Sequence, residues 1–428
     1  MDKKKVLIIT YYWPPAGGPG VQRWLKFVKY LPDFNIEPIV YCPSNANYPI
    51  LDTTLQNEVS PSLTVLKQPI KEPYKLAQLF SKKSKTISKG IIAEKNKQSL
   101  MERLMLFVRG NFFIPDARKN WVKPSYNYLS TYIMDFNVDT IITSGPPHSL
   151  HLIGLKLKEN HKINWIADFR DPWTTIGYHK QLKLTKASKN KHKALEKKVL
   201  NCADKIIVTS PSTKTEFEHI TSQPIHVITN GYDNEKVVVN TLDKKFTLSH
   251  IGSLLSKRNP EVLWKVLSEL MIEDTKFTED FQLNLIGEVG EDVIQSIKKH
   301  NLSECLNYIG YVSHNKAIEY QKKSQLLLLI EINSEDTKAI IPGKLFEYMV
   351  ANRPIVAIGP KGADVASIIT KTNTGQFFNY EDYDVLKNSI KQYYQAYTEN
   401  NLKTNPIGLQ GYSRQQLTKR LADLINQS

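Results

Sequence analysis

The sequence predicts an α/β fold made of two tandem, doubly wound parallel sheets, each of them Rossmann-like. Short apolar runs alternate with amphipathic segments along almost all of the 428 residues, which is typical of parallel strands covered by helices on both faces. The length exceeds one typical hydrophobic core and therefore indicates about two domains. The alternation starts again near Phe246, after a polar connection at 233–245. We expect the two domains to face each other across a central cleft.

Each half of the chain has its own series of predicted elements, which place domains at 1–232 and 233–405 and a last helical segment at 406–428. No short-period repeat is present, which argues against a solenoid. The first half has predicted strands near Val6–Thr10, Glu37–Tyr41, Asp139–Thr143, Ile163–Asp168, Lys205–Thr209 and His226–Thr229, with helices at Val21–Leu31, His148–Asn160, Lys189–Asn201 and Ser212–His219. The second half has predicted strands near Phe246–Ile251, Gln282–Ile286, Asn307–Ile309, Gln325–Ile330 and Pro354–Ile358.

Positive charge is concentrated in the first half of the chain. Residues 1–223 hold 34 Lys/Arg and 18 Asp/Glu, whereas the whole chain has a formal net charge of +15. A basic half of this kind indicates a surface that meets nucleic acid or anionic lipid. Because no recognisable nucleic-acid module is present, we expect an anionic membrane surface and no nucleic acid as partner.

A basic insert at about 67–123 interrupts the first series of elements. It holds 14 Lys/Arg and 4 Asp/Glu, together with an apolar cluster at 100–113. The spacing of that cluster, beside Arg103 and Arg109, predicts an amphipathic helix suited to a membrane interface. Each basic residue near an anionic surface contributes about 1 kcal/mol, so a few of them suffice for reversible attachment. The alternative is a helix that packs onto its own domain while its basic residues stay solvated.

The compartment is predicted from the cysteines and the apolar runs. Cys42, Cys202 and Cys305 have neither pairing nor metal spacing, which is typical of cytosolic thiols. The apolar run near the N-terminus is too short for a signal peptide, and no run approaches the roughly 18 residues needed to span a bilayer. We expect a cytoplasmic protein, peripheral on the inner face of the plasma membrane.

Three loops of the first half follow predicted strands and are candidates for a site. The loop Pro14–Gly20 matches neither the dinucleotide nor the Walker A pattern, and its glycines Gly17 and Gly18 let a ligand approach the backbone. In the next two loops His148 and Asp171 are candidates for a general base or a hydroxyl-binding group, and Arg170 is a candidate for a phosphate contact. The alternative for Asp168, Arg170 and Asp171 is a local ion-pair turn.

A loop and short helix within Ile340–Ala357 have the features of an anion site. Gly343 opens the helix, and the free N–H groups and partial positive charge at a helix N-terminus suit a diphosphate. Lys344 adds a full charge in the first turn. Glu347 falls on the same face one turn later, where its carboxylate suits ribose hydroxyls. The alternative is an ordinary helix with a surface ion pair.

Two further loops of the second half contain candidate ligands. Arg258 opens a helix and is placed to meet a phosphate, with the backbone amides near Ser253 assisting. Tyr311 and Val312 follow another predicted strand, where backbone groups can read a base edge. The chain has no zinc spacing and no nucleophile elbow, and the Asp-x-Asp at 382–384 is expected to cap a helix rather than to bind a metal.

These residues resemble the glycosyltransferases of the GT-B fold, and family 4 in particular, over nearly the whole chain. The resemblance rests on the glycine loop, on Asn230-Gly231-Tyr232-Asp233, which is similar to the family's Asn-Gly-Val-Asp, and on Gly343–Ala357. It implies that 1–232 binds an acceptor, that 233–405 binds a nucleotide-sugar, and that the final helix crosses back to the first domain. It also implies that the anomeric configuration is retained.

The resemblance also implies roles for individual residues. Glu347 holds the ribose, Arg258 meets the diphosphate, and Gly17 and Gly18 approach the phosphates from the other domain. Arg170 stands where many members of the family carry a histidine near the transferred sugar.

Two positions depart from the family's pattern. Ala339 stands in place of the first carboxylate of the Glu-x7-Glu motif, with Glu335 or Asp336 available as a substitute from the loop. Ser253 stands in place of the usual arginine, and Arg258 takes the place of the usual lysine.

We therefore expect a glycosyltransferase that moves a sugar to a lipid-linked or surface-glycan acceptor, as in the synthesis of cell-envelope polysaccharides such as lipopolysaccharide. The nucleoside-diphosphate sugar is the co-substrate, and neither a further cofactor nor a metal is expected. One alternative is a sugar-nucleotide epimerase of the same fold, which needs no acceptor. Another is a non-catalytic protein that binds nucleic acid or a membrane surface, and a third is an inactive homologue.

Overall fold

The computed structural model describes residues 3–72, 100–177, 179–233 and 241–427. These residues form two compact units. The first unit contains the chain up to Thr229 together with the segment that begins at Arg414, and the second runs from Asn230 to Ser413. The predicted basic insert is described only at its two ends, because residues 73–99 lie outside the described residues.

The first unit is built around a seven-stranded parallel sheet. Its strands are β1 Lys4–Ile9, β2 Ile36–Pro43, β3 Thr64–Gln68, β4 Thr140–Gly145, β5 Asn164–Phe169, β6 Lys205–Val208 and β7 Ile225–Val227. The strand order is β3-β2-β1-β4-β5-β6-β7. The chain direction across the sheet reverses between β1 and β4, which pair in parallel from Val6–Thr140 to Ile9–Thr143. The loops that follow β1 and β4 therefore start side by side, at the point where open α/β sheets bind ligands.

Helices cover the first sheet. Their apolar residues recur with helical spacing, so each helix has an apolar face that can pack onto the sheet. These helices are α1 Pro19–Tyr30, α2 Leu100–Phe112, α3 Val122–Asp135, α4 Ser149–Asn160, α5 Lys186–Cys202 and α6 Pro211–Glu218. In α1 the buried residues Val21, Trp24, Leu25 and Val28 form one face that packs onto the sheet.

The second unit is built around a six-stranded parallel sheet. Its strands are β8 Phe246–Ile251, β9 Phe281–Ile286, β10 Leu306–Gly310, β11 Leu326–Ile330, β12 Ile355–Gly359 and β13 Gly375–Asn379. The strand order is β10-β9-β8-β11-β12-β13. Here the direction reverses between β8 and β11, where Leu248 pairs with Leu326. All five residues of β11 are buried, as expected for a central parallel strand.

Seven helices are described in the second unit: α7 Glu261–Glu273, α8 Thr275–Asp280, α9 Glu291–Lys299, α10 His314–Lys323, α11 Gly343–Val350, α12 Asp364–Thr372 and α13 Tyr383–Thr398. Helix α11 has Pro342 at its N-cap. The chain then turns at Asn352, whose φ of 56° lies in the left-handed region that asparagine tolerates. The turn leads directly into β12, close to the strand predicted at Pro354–Ile358.

The last helix, α14 Arg414–Asn426, belongs to the first unit. Its buried residues Leu417, Leu421 and Ile425 join the core that contains Trp24. The sequence placed the start of this segment at 406, but residues 406–413 stay with the second unit, where the Tyr232 N–H donates to the Tyr412 carbonyl oxygen at 3.2 Å.

The predicted fold class of two tandem, doubly wound parallel sheets is confirmed. Within the described part of the chain, no helix combines the length and the apolar character needed to cross a bilayer.

Candidate functional site

The reversal point of the second sheet collects several charged side chains. Strands β8 and β11 lie next to each other there, and the loops that follow them leave in opposite directions across the sheet. The N-terminus of α11 lies at the same edge, because Lys344 in its first turn packs against Gly252 directly after β8. This edge is where a doubly wound sheet leaves space for a ligand.

Lys344 is held between Gly252 and His250. Its Nζ lies 2.6 Å from the point that a Cβ on Gly252 would occupy and 3.5 Å from His250 Nε2. His250 Nδ1 lies 3.0 Å from the Leu328 carbonyl oxygen and so donates to it, which leaves Nε2 as an acceptor toward the ammonium. Burial lowers the pKa of His250 well below its usual value, so the imidazole is neutral.

Glu331 is the buried carboxylate of this cluster. It follows β11 directly, is 3% exposed, and its backbone is fixed by hydrogen bonds with Ile358 and Tyr380. Burial raises the pKa of Glu331 to about 7, against the opposing effect of the Arg258 and Lys344 charges. The sequence offered Glu335 or Asp336 as a substitute carboxylate, whereas the buried carboxylate near Arg258 and Lys344 is Glu331. Glu335 instead pairs with Lys338 and its side chain is 82% exposed.

The two cations of the cluster repel each other. Burial lowers the pKa of Lys344 to about 8, and the neighbouring Arg258 charge adds to this effect while Glu331 and Glu347 oppose it. Arg258 lies in a short 3-10 helix, and its buried Nε has no hydrogen-bond partner among the described residues. An anion at this position would relieve the repulsion and occupy the unused donor.

Glu347 lies one turn after Lys344 in α11. Gln321 Nε2 donates to Glu347 Oε2 at 2.9 Å, which orients the carboxylate. The next residue, Tyr348, accepts from the Ile251 N–H through its buried hydroxyl at 2.9 Å, which fixes α11 against the end of β8. The helix that carries Lys344 and Glu347 is therefore held rigidly at the reversal point.

The other predicted donor-binding residues are less centrally placed. Ser253 is exposed just beyond Gly252. Tyr311 and Val312 follow β10, which is separated from β11 by β9 and β8, and the Tyr311 side chain is 93% exposed. Strand β10 is the second strand from β8, and neighbouring strands lie about 4.8 Å apart. Tyr311 and Val312 therefore follow a strand that is not adjacent to β8 or β11, between which the charged cluster lies.

In the first unit, Asp168 at the end of β5 is the centre of a buried hydrogen-bond network. Arg23 Nη2 donates to its Oδ1 at 2.8 Å, and Trp24 Nε1 and Ser144 Oγ donate to its Oδ2 at 3.0 and 2.8 Å. Arg23 and Asp168 have almost no exposed side-chain surface. The ion-pair alternative therefore describes Asp168, although its partner is Arg23 on α1 and not a residue of its own turn.

Arg170 and Asp171 follow this network in the chain. Arg170 Nη2 donates to the Pro146 carbonyl oxygen, and the guanidinium lies against Gly20, where a Cβ would collide with it. The buried Arg170 Nε has no hydrogen-bond partner within the described residues. Burial raises the pKa of Asp171, and the positive charge of Arg170 partly offsets this effect.

The glycine loop has a different arrangement from the predicted one. The Gly17 N–H donates to the Ile50 carbonyl oxygen at 3.0 Å, and a Cβ at Gly17 would touch Ile50 and Asp52. Gly17 therefore serves the packing of a neighbouring loop, and its N–H is not free for a phosphate. Gly18 has a φ of 97° at the N-cap of α1 and has open space where a side chain would stand.

His148 is buried in the first unit, next to the start of α4. Its ring stacks on Trp173 with a centroid separation of 4.9 Å and an interplanar angle of 3°. Burial lowers the pKa of His148 well below its usual value. The neighbouring His151 is bonded to Thr143 in the core. The predicted first-unit residues thus start from adjacent loops, and the described hydrogen-bond partners of the Asp168 carboxylate are Arg23, Trp24 and Ser144.

No group of three or more His, Cys, Asp or Glu side chains could hold a metal ion within the ranges that the structure describes. Asp382 stands at the N-cap of α13 and accepts from the Asn379 N–H at 2.7 Å, so it helps to fix the start of that helix.

Sequence reasoning missed Glu331 and His250. Both have a local signal, because each is a polar residue at or next to the end of an apolar strand. What the sequence does not reveal is that β8 and β11 are neighbours, and it is this pairing that makes both residues part of one cluster.

Two family descriptions match consecutive parts of the chain. Glycosyltransferase Family 4 matches residues 91–236, and Glycosyl transferases group 1 matches residues 232–405. Together they cover residues 91–405, which include β4 to β13 but not β1 to β3. No curated protein matches the chain in sequence.

Solved structures show the same architecture. The chain is similar to sucrose-phosphate synthase (tll1590) from Thermosynechococcus elongatus, with a TM-score of 0.63 and 14% identity over 99% of both chains. It is similar to the apo form of the lipopolysaccharide outer core galactosyltransferase WaaB, with a TM-score of 0.60 and 15% identity over 99% of both chains. A UDP-N-acetylglucosamine 2-epimerase is similar at a TM-score of 0.50 and 12% identity, over 99% of this chain and 96% of the other.

At these identities the solved structures establish the fold, and the family descriptions establish the kind of protein. The resemblance to GT-B enzymes that the sequence predicted is confirmed by both. The chain therefore belongs to the GT-B glycosyltransferases, with a Glycosyltransferase Family 4 domain followed by a Glycosyl transferases group 1 domain.

Proposed function

We propose that this glycosyltransferase uses a nucleoside-diphosphate sugar as donor and a lipid-linked or surface-glycan acceptor, without a metal and with retention of configuration. The observation that carries the donor proposal is the pair of cations, Arg258 and Lys344, beside the N-terminus of α11 at the reversal point of the second sheet. Two neighbouring cations and a helix N-terminus form a site for a dianion, and a diphosphate has that charge and size.

The same groups suit the chemical step. The bond between the anomeric carbon and the diphosphate oxygen breaks, so negative charge gathers on the leaving diphosphate. The guanidinium of Arg258 and the ammonium of Lys344 stabilise that charge, and the free N–H groups of α11 assist them. The acceptor oxygen bonds to the anomeric carbon on the same face from which the diphosphate departs, as retention of configuration requires, and its proton passes to a carboxylate, for which we propose Asp171. Burial raises the pKa of Asp171 and so favours its role as a proton acceptor.

Two further roles complete the proposal. Glu347, oriented by Gln321, accepts hydrogen bonds from the ribose hydroxyls of the donor. Arg170 has an unused buried Nε and meets a phosphate or the transferred sugar. The role of Glu347 follows from its oriented carboxylate in α11, and the role of Arg170 follows from its unused Nε just after β5.

A sugar-nucleotide epimerase is the second candidate, because an epimerase is among the similar solved structures. An epimerase would convert its nucleotide-sugar without any acceptor. Both family descriptions name glycosyltransferases, which favours transfer. Incubation with nucleotide-sugars alone separates the two, since only an epimerase releases an epimerised nucleotide-sugar under those conditions.

A peripheral position on the inner face of the plasma membrane is also proposed. Helix α2 packs inward through Gly110, which lies against Leu182, and exposes a stripe of apolar residues on its other side. The most exposed of these are Leu100, Met101, Leu104 and Phe112, each more than half exposed. A basic chain half with such a stripe suits an anionic lipid surface.

The donor proposal is tested with a thermal-shift panel of nucleoside mono- and diphosphates. A ligand that binds the native state raises the melting temperature. Arg258→Ala should weaken diphosphate binding about tenfold or more and monophosphate binding much less, because a charge-assisted hydrogen bond contributes about 1.5–3 kcal/mol. The matched control is Lys257→Ala, which removes an exposed neighbouring cation. Equal losses for mono- and diphosphates would contradict the diphosphate contact.

A further inference from the structure

The first unit contains a cavity of about 180 Å³ that the donor proposal does not use. It lies between the loop that follows β4, the end of α2 and the segment before α5. The residues that line it include Tyr12, Phe113, Pro146, His148, Trp173 and His179, together with charged side chains such as Asp116 and Arg118. The lining is therefore a mixture of aromatic rings, prolines, imidazoles and charged groups.

The imidazoles of the lining have unused polar atoms. His148 is 4% exposed and His179 is 7% exposed. Both ring nitrogens of His148 and the Nε2 of His179 have no hydrogen-bond partner among the described residues. A buried polar atom left without a partner costs about 1–3 kcal/mol, so a ligand group that hydrogen-bonds to these nitrogens would recover that cost.

The charge state of the imidazoles limits the chemistry of that ligand. Burial lowers the pKa of His148 well below its usual value and the pKa of His179 to about 4, with neighbouring positive groups adding to both shifts. Both rings are therefore neutral near pH 7. A neutral imidazole has one N–H donor and one nitrogen acceptor, which matches a hydroxyl group that both accepts and donates.

Two charged groups of the lining already have partners. Arg118 pairs with Glu72 at 3.1 Å. Asp116 accepts from the N–H and the Oγ of Ser149 and from the Arg118 N–H, at 2.7–2.8 Å. The unused polar atoms named above are thus on neutral groups, which favours a hydroxylated ligand over a simple anion.

The aromatic lining suits the faces of a sugar ring. Trp173 and His148 are stacked, and Phe113 and Tyr12 contribute further rings to the wall. Sugar rings present apolar C–H faces between their hydroxyl groups, so flat rings beside hydroxyl-binding nitrogens are complementary to them.

We propose that this cavity binds a hydroxylated sugar unit of the acceptor, with His148 and His179 as the residues that bond its hydroxyl groups. The proposal rests on the transferase function proposed above and deepens it. It assigns His148 to the binding of a hydroxyl, so that the proton acceptor of the reaction is a different residue.

The test uses saturation-transfer NMR on the full chain with the methyl glycosides of glucose, galactose, mannose, rhamnose and N-acetylglucosamine. At least one glycoside should receive saturation from the wild-type protein. His148→Phe keeps a flat ring against Trp173 but removes both nitrogens, and it should weaken that binding at least tenfold. His179→Phe should do the same independently. The matched control is His161→Phe, whose ring nitrogen bonds to Ser130 outside the cavity, and it should bind the glycoside as the wild type does.

A nucleoside diphosphate serves as the second probe, because its site lies in the other unit. Its thermal shift should be the same in all variants, which also shows that they are folded. Failure of every glycoside to bind, or equal binding by His148→Phe and His179→Phe, would overturn the cavity proposal even when the diphosphate binds. Glycoside binding without diphosphate binding would instead remove the donor proposal and leave the cavity site intact. A synthetic lipid-linked form of the bound sugar then distinguishes a lipid-linked acceptor, which binds more tightly than the methyl glycoside, from a soluble glycan, which does not.

Discussion

The ammonium group of Lys344 occupies the space in which a side chain on Gly252 would have to stand. Its Nζ lies 2.6 Å from the position of a Cβ on Gly252, whose φ of 122° is itself in a region that favours glycine. The glycine after β8 is therefore required for two reasons, the backbone conformation and the position of the cation.

Gly252→Ala should displace Lys344 and lower the affinity for the best nucleoside diphosphate about tenfold or more, as measured by calorimetry. The control is Gly362→Ala, a position with a φ of 80° and open space around the Cβ. Both variants carry backbone strain of about 1–3 kcal/mol, but only the first has a clash with Lys344. Equal diphosphate affinity in the two variants would show that the position of Lys344 does not matter for binding.

Glu331→Gln should change how the stability of the protein depends on pH. The pKa of Glu331 is raised from 4.5 to about 7 in the folded protein. Between these values the folded state keeps a proton that the unfolded state has released, so the free energy of unfolding falls as the pH rises from about 4.5 to 7. The full loss above pH 7 corresponds to about 3 kcal/mol.

Glutamine does not titrate, so Glu331→Gln should gain stability relative to the wild type between pH 5 and pH 8. Urea unfolding followed by circular dichroism at the two pH values measures this gain. The exposed Glu288 next to β9 provides the control Glu288→Gln, for which we expect no such change. Wild-type and Glu331→Gln stabilities that run parallel with pH would contradict the raised pKa.

Asp168→Ala should destabilise the first unit by about 3–5 kcal/mol, because it leaves the buried Arg23 guanidinium without its counter-charge. Urea unfolding measures the loss. Glu159→Ala, which breaks the exposed pair with Lys198, should cost less than about 1 kcal/mol and serves as the control. Comparable small losses for both variants would mean that Asp168 is not a structural centre.

The apolar stripe of α2 should mediate attachment to anionic vesicles. The double variant Leu104→Asp, Phe112→Asp should lose flotation with vesicles of phosphatidylglycerol and phosphatidylethanolamine, since burying each side chain contributes about 1.5–3 kcal/mol. Met134→Asp on α3 is the control, because Met134 is equally exposed but lies on another helix. Unchanged flotation of the double variant would show that this face does not meet lipid.

The fold was predictable from the sequence because its central strands are apolar throughout. The predicted strand Phe246–Ile251 has the observed bounds, and others differ by only a residue or two. The two strands that the prediction omitted, β3 and β13, both lie at a sheet edge. Both are only partly buried, and β13 begins with a glycine, so neither has the continuous apolar pattern of a central strand.

The candidate site was predictable only in part. Lys344 and Glu347 are one helical turn apart, so their common face follows from local spacing. Glu331 joins them only because β8 and β11 are neighbours in space. In the sequence, 74 residues lie between the end of β8 and the start of β11. Likewise, the burial and the unused nitrogens of His148 depend on Trp173 and the cavity around it, which no local pattern reveals.

Helix α14 has a consequence for the way in which the chain is synthesised. Its leucines and Ile425 fill the core beside Trp24, although the ribosome makes these residues only after it has made the whole second unit. The nascent amino-terminal half therefore exposes an apolar surface until residues 414–426 have left the exit tunnel. Only then can the core of the first unit be completed.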